Sequence, residues 1–493
     1  MARAYVIPRS EKMGLRMTNL YATARQMIAD LKAKKISARE LLDAHVARNE
    51  QIAKPINAVI ETDLARAHKD AAEIDEARAK GAALGALAGI PMTIKDGFDV
   101  ENMPAVSGNP ALKDRAKNCA DADMVALARK AGAVIWGKTN VPFMLGDIQS
   151  FNDIYGTTNN PYDVTRVPGG SSGGAAAALA TGVTSLEIGS DIGGSLRHPA
   201  NFCGVTSLKP TWGVLSQRGH VPPLPGSTEN TDLNVVGPMA RTVDDLKLLW
   251  SVLRGAPEQA RRDVKGARIA VWDAEASWPL ARDVREAVES AGNALAKSGA
   301  RVEHAKPDVD GAELMNFYTA ILTPIVTAGL PDALIKSFAE VREDDLKLVK
   351  SGGEGAAAAA FRLRARPSPQ EAADAEARRQ DYKLRLAKFF KSYDAIVMPI
   401  SMVSAFPHQQ VPTFNDRILD VDGQKVPYPK IIEWISLATA LHAPALAVPA
   451  GRTAGGVPIG VQIVGPWNGE DRLFDYAAAV EEGLGGFRPP PGL

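Results

Sequence analysis

Two glycine clusters, each carrying serine, flank an alanine-rich stretch: Gly169-Gly-Ser-Ser-Gly-Gly174, then Ala175 to Ala180, then Gly189-Ser-Asp-Ile-Gly-Gly-Ser195-Leu-Arg-His-Pro199. Glycine admits backbone angles closed to other residues and lets a ligand approach main-chain N–H groups, so a serine in such a setting is a candidate nucleophile beside hydrogen-bond donors. Isolated Gly/Ser clusters are commonly flexible loops. Here they enclose a small-residue helix suited to burial, and a linker is not followed at once by core-like sequence. Phosphate cradling is the other use of such glycines. Neither the Lys-Ser/Thr ending of a P-loop nor a G-x-G-x-x-G between strand and helix is present, which disfavours nucleotide binding.

The base that would activate a serine is not adjacent. Ser195 lies in Gly193-Gly-Ser-Leu-Arg197, not in a G-x-S-x-G elbow, and no serine begins an S-x-x-K motif. The seven histidines (His45, His68, His198, His220, His304, His408, His442) are scattered without H-E-x-x-H spacing, so zinc catalysis has no support and no metal is expected. His198 stands near Ser195, but side chains three apart after a Gly-Gly turn need not converge and Pro199 follows; it is read as pocket-lining or structural. Lysine remains, provided burial lowers its pKa enough to supply a neutral amine. Lys95 closes the strand-like Ile90-Pro-Met-Thr-Ile94 and precedes Asp96-Gly97. By residue type alone it reads more readily as a solvated strand-end lysine.

The elements that must position these residues are legible in outline. Residues 17 to 80 carry apolar positions at helical spacing, for example Leu41, Leu42 and Val46 behind Ser37, with Glu40 placed to complete a capping box. From Gly89 the texture changes to short apolar runs between Gly and Pro: Ile90 to Ile94, Ala133 to Trp136, Thr184 to Ile188 and Val205 to Leu208. Further strands are predicted at Arg268 to Trp272, Ala395 to Met398, Ala445 to Val448 and Ile459 to Val464. Helices alternate with them, as at Ala122 to Ala131, and a helical insertion is expected over about 311–391, with a break at Arg366-Pro-Ser-Pro369. The tail at Arg488-Pro-Pro-Pro491 is expected to fray. The expected division is an N-terminal helical segment (1–80), a core holding the reactive residues (81–260) and the remainder of an α/β sheet with its insertion (261–493).

Composition sets the class. At 493 residues with 45% hydrophobic and 23% charged residues, the chain fits a large soluble globular protein and excludes disordered and fibrous classes. Lys plus Arg and Asp plus Glu both number 57, so no net field favours nucleic acid or an anionic membrane. Cys119 and Cys203 are too few for a disulfide framework and fit inert packing in a reducing cytoplasm. The first ten residues lack the apolar run of a signal peptide, and no later run approaches a membrane span, so a soluble, cytoplasmic protein is expected.

Taken together, Gly89-Ile-Pro-Met-Thr-Ile-Lys-Asp96, Gly137-Lys-Thr-Asn140, Gly169-Gly-Ser-Ser-Gly-Gly174 and Asp191-Ile-Gly-Gly-Ser-Leu-Arg197 resemble the amidase signature family of serine hydrolases. The likeness continues through Phe202-Cys-Gly, Leu208-Lys-Pro and Ala443-Pro-Ala445 to Gly456-Val-Pro-Ile-Gly-Val-Gln-Ile-Val-Gly465. It implies a single large α/β domain with a central mixed, twisted sheet covered by helices, and carboxamide hydrolysis through an acyl-serine. By resemblance Lys95 is the base, Ser171 the proton relay and Ser195 the nucleophile. The resemblance further implies a cis peptide between Gly170 and Ser171, and an oxyanion hole of the N–H groups of Ile192, Gly193, Gly194 and Ser195. Glycine at 193 and 194 is read as a catalytic choice, because a Cβ there is expected to misdirect those groups. Residue chemistry by itself does not separate Ser171 from Ser172.

Leu145, Asp147 and Ile192 are substrate contacts by resemblance. Asp191 and Arg197 bracket the nucleophile, either as an ion pair holding the turn or as independent charges. Three departures bear on the pocket: Phe143 where many members carry Glu, Ser190 for a frequent Thr, and a longer Pro222 to Leu233 segment. They touch substrate identity more than reaction type. No cofactor is implied, and the partner is a small amide; homodimerisation is common in the family. Competing readings are the glutamine-hydrolysing subunit of an amidotransferase, and a binding protein without turnover.

Overall fold

Ser37 and Glu40 form the reciprocal cap their spacing predicts: the Ser37 hydroxyl accepts the Glu40 N–H at 3.1 Å, and the Glu40 carboxylate accepts the Ser37 N–H at 2.8 Å. That cap opens helix Ala38–Ile56, which buries Leu41, Leu42 and Val46, follows helix Ala24–Lys32 in the chain and precedes helix Leu64–Ala79. The computed structural model describes residues 19–115, 118–352, 355–411 and 414–492. The reading of the first ten residues lies outside the described residues. Among the described residues no helix is long and apolar enough to cross a membrane.

One stretch read as helical is a strand. Asn57 ends the preceding helix in the left-handed conformation (φ 55), and Val59–Thr62, with β-branched residues at Val59, Ile60 and Thr62, pairs antiparallel with Val134–Thr139. Val134–Thr139 in turn pairs in parallel with Pro91–Lys95, making a three-stranded sheet. An eight-stranded mixed sheet runs in the order Arg301–His304, Arg268–Val271, Ala395–Pro399, Pro458–Val464, Ala445–Arg452, Thr206–Lys209, Val235–Ala240 and Leu186–Asp191. The first three strands are parallel and the rest antiparallel.

Two of these strands escape a reading based on apolar runs. Val235–Ala240 contains Gly237 and Pro238, usual turn formers, yet it is central; a Cβ on Gly237 would overlap the Leu208 carbonyl, so glycine is what lets the neighbouring strand approach. Arg301–His304 is an edge strand, polar and largely exposed, so it carries no hydrophobic signal.

The two sheets meet where Pro91–Lys95 lies beside Leu186–Asp191. The Thr93 hydroxyl donates to the Glu187 carboxylate at 2.6 Å and the Thr93 N–H to the Thr184 hydroxyl at 3.2 Å, all buried. Helix Gly173–Ala180 packs here with every residue buried, and all of its residues but Leu179 are Gly or Ala. Across the larger sheet, helices Arg282–Lys297 and Glu470–Leu484 cover the strands. Five helices, Gly311–Thr327, Asp332–Glu340, Arg342–Ser351, Ala356–Ala365 and Pro369–Phe389, make a helical layer, broken at Arg366 to Ser368 where Ser368 caps the last of them. The tail is tied down, contrary to expectation: the Arg488 carbonyl accepts from the Tyr162 hydroxyl at 2.5 Å and from Arg452 at 3.1 Å.

Candidate active site

Lys95 ends its strand fully buried, not solvated. Its Nζ lies 2.7 Å from the Ser171 hydroxyl, 2.9 Å from that of Ser190 and 3.4 Å from the Ser190 carbonyl. Burial disfavours the charged amine and lowers its pKa to about 7, against the opposing pull of the Asp191 and Glu187 carboxylates. A second buried lysine fixes the strand end: Lys138 donates to the Asp96 carboxylate at 3.0 Å and to the Phe98 and Met103 carbonyls at 2.8 and 3.2 Å. Asp96 therefore turns away from Lys95 to a cation of its own, and the chain after Lys95 is held by the Asp96 N–H on the Thr139 carbonyl at 3.0 Å.

In the first glycine cluster, Gly169, Gly170 and Gly174 are packed against main chain and Gly173 against the Ser150 side chain. The Gly170–Ser171 peptide is cis. A Cβ on Gly170 would overlap the Asp147 carbonyl, and one on Gly174 would overlap the backbone of Asn140. Ser171 faces Lys95, whereas the Ser172 hydroxyl reaches the Ser190 carbonyl at 3.4 Å and the Ser172 N–H the Ser195 carbonyl at 3.3 Å. That last bond draws the two clusters together. The Ser195 side chain, 4% exposed, makes no hydrogen bond to Ser171 in this structure.

The turn from Asp191 to Arg197 is built around a buried ion pair. Arg197 donates to both Asp191 oxygens at 3.0 Å, and also to the Gln462 side chain at 2.9 Å, the Ile435 carbonyl at 3.0 Å and the Thr439 hydroxyl at 2.6 Å. Asp191 further accepts the N–H groups of Gly194 at 2.9 Å and Leu196 at 3.1 Å. Burial by itself would raise the Asp191 pKa, but Arg197 and these donors hold the carboxyl well below the usual range. Independent surface charges are thus ruled out. The Gly194 N–H, expected at an oxyanion, is spent on Asp191. The N–H groups of Ile192, Gly193 and Ser195 have no acceptor among the described residues.

A family model described as Amidase matches residues 40–474. The chain belongs to the amidase signature family. A glutamyl-tRNA(Gln) amidotransferase subunit of Synechococcus sp. (strain CC9605) is 31% identical over 500 residues, covering 94% of this chain and 96% of that one. Among solved structures, 6-aminohexanoate cyclic dimer hydrolase complexed with substrate is similar with a TM-score of 0.77 and 25% identity over 96% of this chain and 99% of that one. Peptide amidase from Stenotrophomonas maltophilia gives 0.72 and 26% over 95% and 98%. At family level this is an enzyme acting on carbon–nitrogen bonds, with the amidase signature fold.

Within this amidase signature chain, the residues expected at the pocket differ in what they are free to do. Leu145 is buried, in the left-handed region (φ 58), with its Cδ1 close to Gly97. The Asp147 carboxylate is engaged by Arg417 at 2.5 Å and by the Tyr428 hydroxyl at 2.7 Å, so it holds the loop in place. Phe143 is 56% exposed. The Pro222 to Leu233 segment is tied to helix Pro369–Phe389 through Asp232, which meets Arg379 at 2.6 Å and His442 at 2.7 Å. His198 is buried beneath the turn from Asp191 to Arg197; burial lowers its pKa to about 3, so it stays neutral. Residue reasoning missed Ser190 as a Lys95 partner and the Lys138–Asp96 pair. The only signal for the latter was a lysine inside an apolar strand.

Gly193 and Gly194 have different reasons to be glycine. Gly194 has φ +94 and a Cβ there would overlap the His198 ring, whereas a Cβ on Gly193 would meet nothing within 4 Å. Gly194→Ala should cost about 1–3 kcal/mol of stability, read by urea unfolding, because of the overlap and the positive φ. Gly193→Ala should unfold at the parent's midpoint and raise KM several-fold if substrate occupies the open space its Cβ enters.

Proposed function

We propose that this enzyme hydrolyses the carboxamide bond of small aryl or alkyl amides, with esters and carbamates open to the same acyl-serine chemistry. Neutral Lys95 takes a proton from Ser171 as Ser171 takes that of Ser195, and the Ser195 oxygen attacks the amide carbonyl. The developing oxyanion is met by the N–H groups of Ile192, Gly193 and Ser195. Lys95, now protonated, returns the proton through Ser171 to the leaving amine, and water activated by the same relay releases the acid. The observation that carries this reading is the 2.7 Å contact between Ser171 and a fully buried amine whose pKa is lowered to about 7. The step from Ser171 to Ser195 needs the Ser195 side chain to turn towards Ser171; such bonds commonly tighten only when substrate binds.

A fluorophosphonate probe tests the nucleophile directly. It should add one phosphonyl group to the peptide carrying Ser195 and stop anilide hydrolysis in proportion to labelling. Continued turnover by fully labelled enzyme, or labelling at another serine, would sink the assignment.

A second reading, the glutamine-hydrolysing component of an amidotransferase, is favoured by the 31% identity to the Synechococcus protein over nearly the whole of both chains. Ammonia release from glutamine only when the other components are supplied, with no anilide hydrolysis by the chain alone, would select it. A binding role without turnover leaves the buried, hydrogen-bonded Lys95 unexplained.

A further inference from the structure

The nucleophile turn is braced from behind by the helical layer. Tyr318, on helix Gly311–Thr327, is fully buried, and its hydroxyl donates to the Ile192 carbonyl at 3.0 Å. That carbonyl and the Gly193 N–H belong to one peptide group. The group is planar and trans, so its C=O and N–H point in opposite directions. With the phenol on one side, the Gly193 N–H faces the other, where it has no acceptor among the described residues; a Cβ on Gly193 would itself meet nothing within 4 Å. The same turn is gripped at its far end by Arg197, through the Ile435 carbonyl and the Thr439 hydroxyl. Burial drives the Tyr318 phenol well above its ordinary pKa, with Arg197 pulling the other way, so the hydroxyl stays protonated and able to donate.

We propose that Tyr318 is a positioning residue for amide hydrolysis: by donating to the Ile192 carbonyl it aims the Gly193 N–H at the oxyanion and strengthens it as a donor. A hydrogen bond accepted at one end of a peptide polarises the group, and such cooperative strengthening is about 10–30% per bond. The effect is worth most when charge develops on the substrate oxygen and little while the carbonyl is neutral, so it belongs to the transition state and not to ground-state binding. The inference rests on the acyl-Ser195 reading above. It assigns the helical layer a part in catalysis without contact to substrate.

Tyr318→Phe keeps the ring and removes only the hydroxyl. Anilide kcat should fall about 10-fold, less than the roughly 10²- to 10³-fold seen when an oxyanion donor is lost outright. KM should stay within about twofold, and the pH midpoint of kcat/KM should not move, because Lys95 is untouched. Affinity for a boronate transition-state analogue should drop in step with kcat, while affinity for a non-hydrolysable amine analogue of the substrate holds. A hydroxyl that merely satisfies a buried carbonyl would lower the unfolding midpoint and leave the kinetics and the boronate unchanged; that result overturns the proposal. Should the Phe variant not fold, fluorotyrosines of rising acidity at 318 retain the bond: kcat should rise with phenol acidity, and a flat series overturns it. Ser195→Ala separates the two layers of inference. Turnover surviving in Ser195→Ala defeats the mechanism itself, whereas an inactive Ser195→Ala beside a fully active Tyr318→Phe defeats only the role of Tyr318.

Discussion

On the proposed Lys95–Ser171–Ser195 relay, Ser195→Ala and Lys95→Met should each lower kcat/KM for a chromogenic anilide by roughly 10⁴-fold or more, since members of a catalytic unit fail together and oxyanion donors alone leave a small residual rate. The double variant should be little worse than either single one. The parent's pH profile follows from Lys95: its amine must be neutral to act as base, so kcat/KM should rise through about pH 7 and level off above it. A profile flat between pH 5 and 9, with the pH held as the only variable, would remove Lys95 as the base. Loss of less than about tenfold in Lys95→Met would do the same.

The same burial has a cost that unfolding measurements can read. The Lys95 pKa is lowered from 10.5 in its ordinary state to about 7 in the fold. Between those two values the unfolded chain holds a proton that the native chain lacks, so native stability rises with pH across the window; below about 7 both states are protonated and the full penalty stands. Lys95→Met has no amine there to titrate. The stability of the parent relative to Lys95→Met should therefore increase from pH 7 towards pH 10, by an amount on the order of a few kcal/mol. Lys209, also lowered to about 7 by burial, contributes equally to both proteins and cancels in the difference.

Arg197→Met should be the most destabilising single change near the site, by about 3–5 kcal/mol, because it leaves Asp191 charged and without its cation in a fully buried position. Denaturant unfolding followed by tryptophan fluorescence checks it. Arg197→Met combined with Asp191→Asn should recover a good part of the loss, since removing the orphaned charge matters more than losing the pair. If the double variant is as unstable as the single one, the penalty lies in the lost hydrogen bonds to Ile435, Gln462 and Thr439 instead. The Asp191 carboxyl is held below its ordinary pKa, so the parent keeps this contribution above about pH 4 and loses it as pH falls further.

These effects mark the boundary between what was legible in the chain and what was not. The capping box at Ser37, the strands ending in Lys95 and beginning at Ala395 and Ala445, and the alanine helix between the serine clusters were all readable, because apolar spacing and cap chemistry act over a few residues. Strand Val235–Ala240 was not, since Gly237 and Pro238 look like a turn until a neighbouring carbonyl needs the room. Strand Arg301–His304 was not, since an exposed edge leaves no hydrophobic trace. The fraying expected at Arg488 failed because its carbonyl is captured by Tyr162 and Arg452, residues remote in sequence.

By itself the sequence determined the kind of protein this is: a large α/β chain with its candidate reactive residues confined to two glycine clusters and one strand end, carrying motifs that place it in a family. Tertiary structure decided which of those residues meet. It put Ser171 and not Ser172 on Lys95, buried that amine, locked Asp191 to Arg197, spent the Gly194 N–H on the ion pair and left that of Gly193 open. The physical reason is range: backbone preference and amphipathic period are set by neighbours in the chain, whereas desolvation and hydrogen-bond partnership are sums over groups brought together from hundreds of residues away, as Arg197 is to Gln462 and Tyr318 to Ile192.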